Sequence, residues 1–328
     1  MLKKITFLLS FLILAFILSG CNPEKDKFTF KLASVTTMDH MYNQGAAKFA
    51  ELVKERTGGR IKIDIYPDGK LAKGERELLS GLQQGNIDFY VGSTGTIGEF
   101  SASFGILDVP FIFRDYAHVD RVLDGPIGTQ LLEELGKSNL KGLAFWENGF
   151  RNLTNSRKVI KSPADAKGLK IRIMENKIHL AAWKAVGVNP VPMAFGKIYR
   201  PLKKKTIDGE ENPVAIIYTS KLYEVQKYLS LTQHVYSPAL IAVSPKTWQK
   251  LSKEDQDIIL KAAQEVAPYQ RKLGRENEEK QIAELVAKGM IVTRDINKEA
   301  WYDIMEGAMG EFIESFGKDR VEAIINTK

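Results

Sequence analysis

From residue 28 onward the chain alternates between two hydrophobic periods. Residues 28–34 (FTFKLAS) and 60–67 (RIKIDIYP) place apolar side chains at every second position, the repeat of a strand with one covered face. Between them, residues 42–59 (YNQGAAKFAELVKERTGG) carry the repeat of an amphipathic helix, stopped by Gly58 and Gly59. A second helix pattern follows at 74–86 (GERELLSGLQQGN) and a buried strand at 87–92 (IDFYVG). This β-α-β-α-β order predicts an α/β domain with a largely parallel sheet. Such sheets bind ligands beyond the carboxyl ends of their strands. The candidate ends are Ala33-Ser34, Pro67-Asp68 and Gly92-Ser93-Thr94.

After a strand within 142–150 (GLAFWENGF) the pattern restarts. Residues 168–174 (GLKIRIM) read as a strand, 176–187 as a helix and 188–193 as an extended segment, so a second α/β domain is predicted to begin near residue 149. Residues 229–244 hold two strand-like runs suited to crossing between the domains. One long helix is predicted from Ser252, an N-cap residue followed by Glu254 and Asp255. Pro268 is expected to kink or break it.

Within GLKIRIM, Leu169, Ile171 and Ile173 form the apolar face, and Arg172 sits in the middle of the strand. A guanidinium keeps its proton and is costly to bury without a partner. Two answers are open: Arg172 reaches water or an acid of its own chain, or its partner is a carboxylate that arrives from outside.

The N-terminus belongs to neither domain. Lys3 and Lys4 precede an apolar run of about fourteen residues, short for a membrane span and suited to a signal peptide over residues 1–20. The run ends in Leu18-Ser19-Gly20-Cys21, which resembles the bacterial lipobox, where the cysteine is acylated and becomes the first residue. Cys21 is the only cysteine, so no internal disulfide forms. Residues 21–27 read as a polar tether. The expected product is a soluble domain held outside the cytoplasm by acyl chains that anchor without spanning. Loss of the leader removes two lysines and no acid, so the net charge falls from +7 to +5, a scattered excess that argues against nucleic acid.

Little in the chain suggests covalent chemistry. The four histidines, His40, His118, His179 and His234, are widely spaced with no HxxxH pair, and no P-loop, nucleophile elbow or CxxC is present. No metal or cofactor is expected. An exported enzyme would need a paired acid and base in a cleft, and no pair can be nominated. The basic run 200–205 (RPLKKK) reads as a solvated face.

The stretch 146–157 (WENGFRNLTNSR) resembles the solute-binding subunits of TRAP transporters of the DctP type. The resemblance continues through 107–128, 163–174 (PADAKGLKIRIM), 188–195 (VNPVPMAF), 207–213 (IDGEENP) and 223–238 (YEVQKYLSLTQHVYSP), covering essentially all of the mature chain. The branch with diketogulonate-binding subunits looks most similar. It implies a two-domain, type II periplasmic binding protein-like α/β fold with crossover strands and a long domain-spanning helix. Domain I would comprise 28–148 plus about 237–276, and domain II 149–236 plus about 277–328. A small organic acid would bind in the cleft, and the closed form would dock on a permease of small and large subunits driven by an ion gradient. A sensing module signalling to a membrane receptor is the rival use of the same fold.

The resemblance also implies roles. The arginine of its KxR strand, here Arg172, forks onto the ligand carboxylate, with Arg151 and Asn212 as further carboxylate contacts and Phe195 packing on the ligand. His40, Glu75, Ser93, Thr94, Trp146 and Tyr236 are candidates for the rest of the ligand. Departures exist. Ser93 and Thr96 stand where sialic-acid binders carry charges, Glu210 replaces the usual glutamine, and Pro201 should shorten its helix. The ligand reading is a sugar acid, with a C4-dicarboxylate or an α-keto acid as alternatives.

Overall fold

The computed structural model describes residues 26–328. The predicted signal peptide, Cys21 and most of the tether lie outside the described residues. Nine strands form one mixed sheet: β1 (Phe28–Ala33), β2 (Ile61–Tyr66), β3 (Phe89–Ser93), β4 (Lys141–Asn155), β5 (Lys170–Ile173), β6 (Asn189–Pro192), β7 (Gly209–Pro213), β8 (Tyr228–Val243) and β9 (Ile291–Thr293). Their order is β2-β1-β3-β8-β4-β7-β5-β6, with β9 beside β8. The expected parallel sets are present at both ends, β2-β1-β3 on one side and β7-β5-β6 on the other. Between them β4 and β8 run antiparallel along almost their whole length. The expected crossover strands are thus β4 and β8, which join the two parallel sets within one sheet.

Residues 229–244, read as two runs, form the one strand β8. Its irregularities explain the double pattern. Gln233 takes a left-handed φ of 49°. Pro238, which has no N–H for a ladder, pairs with Glu147 where the β4–β8 register shifts. Just past the shift, opposite Ser237, Gly149 has φ 116°, a conformation that L side chains rarely adopt.

Helix 41–56 packs on the β1–β3 side around Phe49, Val53 and Ile61. Helix 75–84 begins at Glu75 and buries Leu78, Leu79 and Leu82. The long helix runs unbroken from Lys253 to Ala287 with Pro268 inside it, so of the two expected effects, a kink or a break, the break does not occur. Ala267, Gln270 and Arg271 on either side are buried, whereas Pro268 is on the exposed face. Pro201 lies in a helix of only five residues, Tyr199–Lys203, as expected. Residues 92–98 (GSTGTIG) leave β3 as a 3-10 helix, Thr94–Glu99.

Candidate functional site

The carboxyl ends of β1 and β3 face the β5–β7 side across a narrow cavity. Glu75 and Ser93 line it from the first side, Arg151 and Asn148 from β4, and Arg172, Phe195 and Asn212 from the second. Of the three strand ends nominated above, those of β1 and β3 reach the cavity, through Val35, Thr36 and Ser93, and Pro67-Asp68 does not.

Arg172 is 3% exposed. Its Nε donates to the Met193 carbonyl at 2.9 Å. Its Nη1 is buried and has no hydrogen-bond partner. The Phe195 ring lies 6.0 Å from the guanidinium carbon. Burial, with the like charge of Arg151 adding to it, holds the Arg172 pKa below its ordinary value, against the pull of Glu211, Glu210 and Glu75.

Arg151 differs. Its Nε and Nη2 clasp the Glu211 carboxylate, and Nη2 also donates to Asn212 Oδ1 at 3.1 Å. Glu211 is further met by His234 Nε2 at 3.2 Å. Burial works to raise the Glu211 pKa, but Arg151 and His234 outweigh it and hold the carboxyl well below the usual carboxylate range. Arg151 is therefore neutralised within the protein before any ligand arrives. Asn212 is fixed at both ends, its Oδ1 by Arg151 and its Nδ2 by donation to Glu210 Oε2.

Across the cavity, Glu75 Oε1 accepts from the Ser93 amide at 3.0 Å and from Tyr90 Oη, and its Oε2 accepts from Thr96 Oγ1 at 3.1 Å. Burial pushes its carboxyl up. Ser93 Oγ and Ser237 Oγ are 2.8 Å apart, and Asn148 Nδ2 donates to Ser237. Asn148 Oδ1 is buried without a partner. This wall offers acceptors and hydroxyls, and its one charged group is an acid.

Four of the nominated residues do not line the cavity. His40 caps helix 41–56, its Nδ1 accepting from the Tyr42 amide, and stacks edgewise on Tyr42, which does line it. Thr94 Oγ1 donates to the Pro238 carbonyl. Trp146 is fully buried, its indole N–H bound to Ala263 of the long helix. Tyr236 donates to Glu147 and packs with Phe113 and Phe150. Residue-level reading missed Tyr42, Asn148 and Met174. Asn148, the asparagine of the WENGF phrase, and Met174, two residues beyond Arg172 in GLKIRIM, lay within stretches already singled out for the family resemblance, and Tyr42 did not.

Comparison with known proteins gives consistent results. The family model for bacterial extracellular solute-binding proteins, family 7 (DctP), matches residues 32–315. The 2,3-diketo-L-gulonate-binding periplasmic protein of Escherichia coli K12 is 38% identical over 93% of this chain and 92% of its own length. A TRAP periplasmic solute-binding protein from Polaromonas sp. JS666, solved with D-erythronate, is 40% identical with TM-score 0.90, over 92% of this chain and 99% of that one. The sugar acid binding protein of Advenella mimigardefordensis, solved with galactonate, is 35% identical with TM-score 0.87, over 93% and 98%.

Proposed function

The chain belongs to the bacterial extracellular solute-binding proteins of family 7, the DctP family of TRAP transporters, and from that premise we propose that it captures a sugar acid by its carboxylate on Arg172. The observation that carries this reading is the buried Nη1 of Arg172, a charged donor without a partner on the cavity wall. A carboxylate supplies the missing charge and hydrogen bond together. Asn212 and Arg151 frame the same corner, and Phe195 covers it.

The rest of the cavity favours hydroxyls. A second carboxylate would meet Glu75, and the other arginine, Arg151, already has its acid in Glu211. A polyhydroxy tail finds Ser93, Asn148 Oδ1 and the Glu75 carboxyl. The acids bound by the Polaromonas and Advenella proteins support the same class.

TRAP solute-binding proteins act outside the cytoplasm and imply a membrane permease that receives the ligand. Among the described residues no helix is long and apolar enough to cross a membrane. We place the anchor at an acylated Cys21, following the Leu-Ser-Gly sequence, so that Cys21→Ala should release the protein from the membrane fraction. We further divide the molecule into domain I (28–148 plus about 237–276) and domain II (149–236 plus about 277–328). Gly149 and Gln233, with their left-handed backbones on neighbouring strands, support a hinge between them.

The test is a thermal-shift panel on residues 22–328 with uronates, aldonates, keto-sugar acids, C4-dicarboxylates and α-keto acids. A ligand at a hundred times its Kd stabilises by about 2.7 kcal/mol. Shifts confined to sugar acids are expected. Shifts confined to dicarboxylates would move the ligand class, and silence across all acids from ligand-free protein would remove the Arg172 assignment.

A further inference from the structure

Glu210 is fully buried on β7, directly opposite Arg172 in the parallel β5–β7 ladder. Its hydrogen bonds determine where its proton is. Thr154 Oγ1 lies 2.7 Å from Glu210 Oε1 and 3.1 Å from Gln226 Oε1. A threonine hydroxyl has one proton. If Glu210 were ionised, that proton would serve the carboxylate, and Gln226 Oε1 would face a hydroxyl oxygen with nothing between them. Turning the Gln226 amide over offers no escape. Its Nε2 donates to the Val225 carbonyl at 2.8 Å, and a flipped amide would set two oxygens at that distance. Thr154 Oγ1 is also 3.3 Å from the Glu210 backbone carbonyl, the longest of its three contacts. Both shorter side-chain contacts become hydrogen bonds when Glu210 carries the proton and the chain runs Glu210 Oε1–H to Thr154 Oγ1–H to Gln226 Oε1. The other oxygen, Oε2, then accepts from Asn212 Nδ2.

The charged groups facing Glu210 are Glu211 on its own strand, Arg172 on β5 and Arg151 on β4. Burial pushes its carboxyl up and Glu211 adds to this, while the hydrogen bonds with Thr154 and Asn212 and the charge of Arg172 oppose the rise without cancelling it.

We propose that Glu210 is a neutral carboxylic acid at pH 7 that positions Asn212 in the carboxylate site while leaving the charge of Arg172 uncancelled. This inference deepens the proposed function and rests on it for the role of Asn212. With Arg151 donating to Asn212 Oδ1 and Glu210 accepting from Nδ2, the amide cannot turn over, and its second N–H remains for an incoming acceptor. An ionised Glu210 would hold the same amide but place a full negative charge beside Arg172.

Two measurements test this. The first needs no ligand. The infrared spectrum of the protein at pH 7 should contain a protonated carboxylic C=O band that Glu210→Gln removes and Glu75→Gln leaves. The second is calorimetry with D-galactonate. Glu210→Gln, neutral and nearly isosteric, should keep the affinity within about threefold. Glu210→Ala, which releases the Asn212 amide, should weaken it about tenfold or more, the loss of a hydrogen bond worth roughly 1–2 kcal/mol. Absence of the Glu210 band, or a gain of more than about tenfold in Glu210→Gln as a negative charge is removed, would overturn the proposal. A band that behaves as described in a protein that binds no acid would leave Glu210 neutral and refute the proposed ligand class instead.

Discussion

Arg151 and Glu211 form a closed pair inside the protein, the guanidinium clasping both carboxylate oxygens, with each side chain no more than 1% exposed. His234 adds a third member. The consequence for the cleft is that one of its two arginines is already neutralised and the other is not.

Removing the acid of that pair should be costly. Glu211→Gln leaves Arg151 buried with an uncompensated charge, and we expect a loss of about 3–5 kcal/mol of folding stability. Denaturant unfolding measures it. The pair's contribution also fixes a pH sign. The Glu211 carboxyl titrates lower in the folded state than unfolded, so its stabilisation is fully present above the ordinary carboxylate pKa and is lost progressively as pH falls from there through the depressed folded value.

Arg172 should show the reverse. It is buried with an unpaired nitrogen, so the ligand-free fold bears its desolvation cost. Arg172→Met should therefore raise the melting temperature of ligand-free protein, by an amount corresponding to about 1 kcal/mol or more, while abolishing acid binding. Arg172→Lys keeps the charge without the fork and should weaken binding by about 2–5 kcal/mol. Calorimetry and thermal melts on the same samples separate the two effects.

His40 gives a stability signature below neutrality. Burial lowers its pKa to about 3, and its Nε2 has no partner to accept a proton's charge. As pH falls below 6.5 the unfolded chain takes up a proton that the folded state refuses, so stability falls. Between pH 6.5 and 5 this amounts to about 2 kcal/mol. Histidines His118 and His234 shift in the same direction, and buried acids such as Glu75 and Glu147 in the opposite one. The comparison is therefore with His40→Asn, which keeps an N-cap and removes the titration. The wild type should lose about 2 kcal/mol more than this variant on going from pH 7 to 5.

The two α/β halves were legible because period-2 and period-3.6 patterns are local. Arg172 is read from the middle of its strand and Ser93 from a strand end, while Asn212 and Phe195 come from the family resemblance and Glu75 from the start of a helix pattern; all five line the cavity. What failed was side-chain direction in the long strands. Trp146 faces the cleft or the long helix depending on packing against Ala263, 117 residues away in sequence. Tyr236 is claimed in the same way by Glu147 on the neighbouring strand. The neutralising partner of Arg151 lies 60 residues ahead on β7, and no local pattern announces it. Pro268 does not end its helix for a related reason: the buried residues around it, Ala267, Gln270 and Arg271, hold both sides in place across one missing helix bond.

The most direct test is a crystal structure of residues 22–328 with the acid that gives the largest thermal shift. The account predicts a ligand carboxylate oxygen about 3 Å from Arg172 Nη1, with Asn212 Nδ2 on the same group and hydroxyls toward Ser93, Asn148 and Glu75. A ligand whose carboxylate sits elsewhere, with Arg172 Nη1 still unpaired or met only by water, would contradict it.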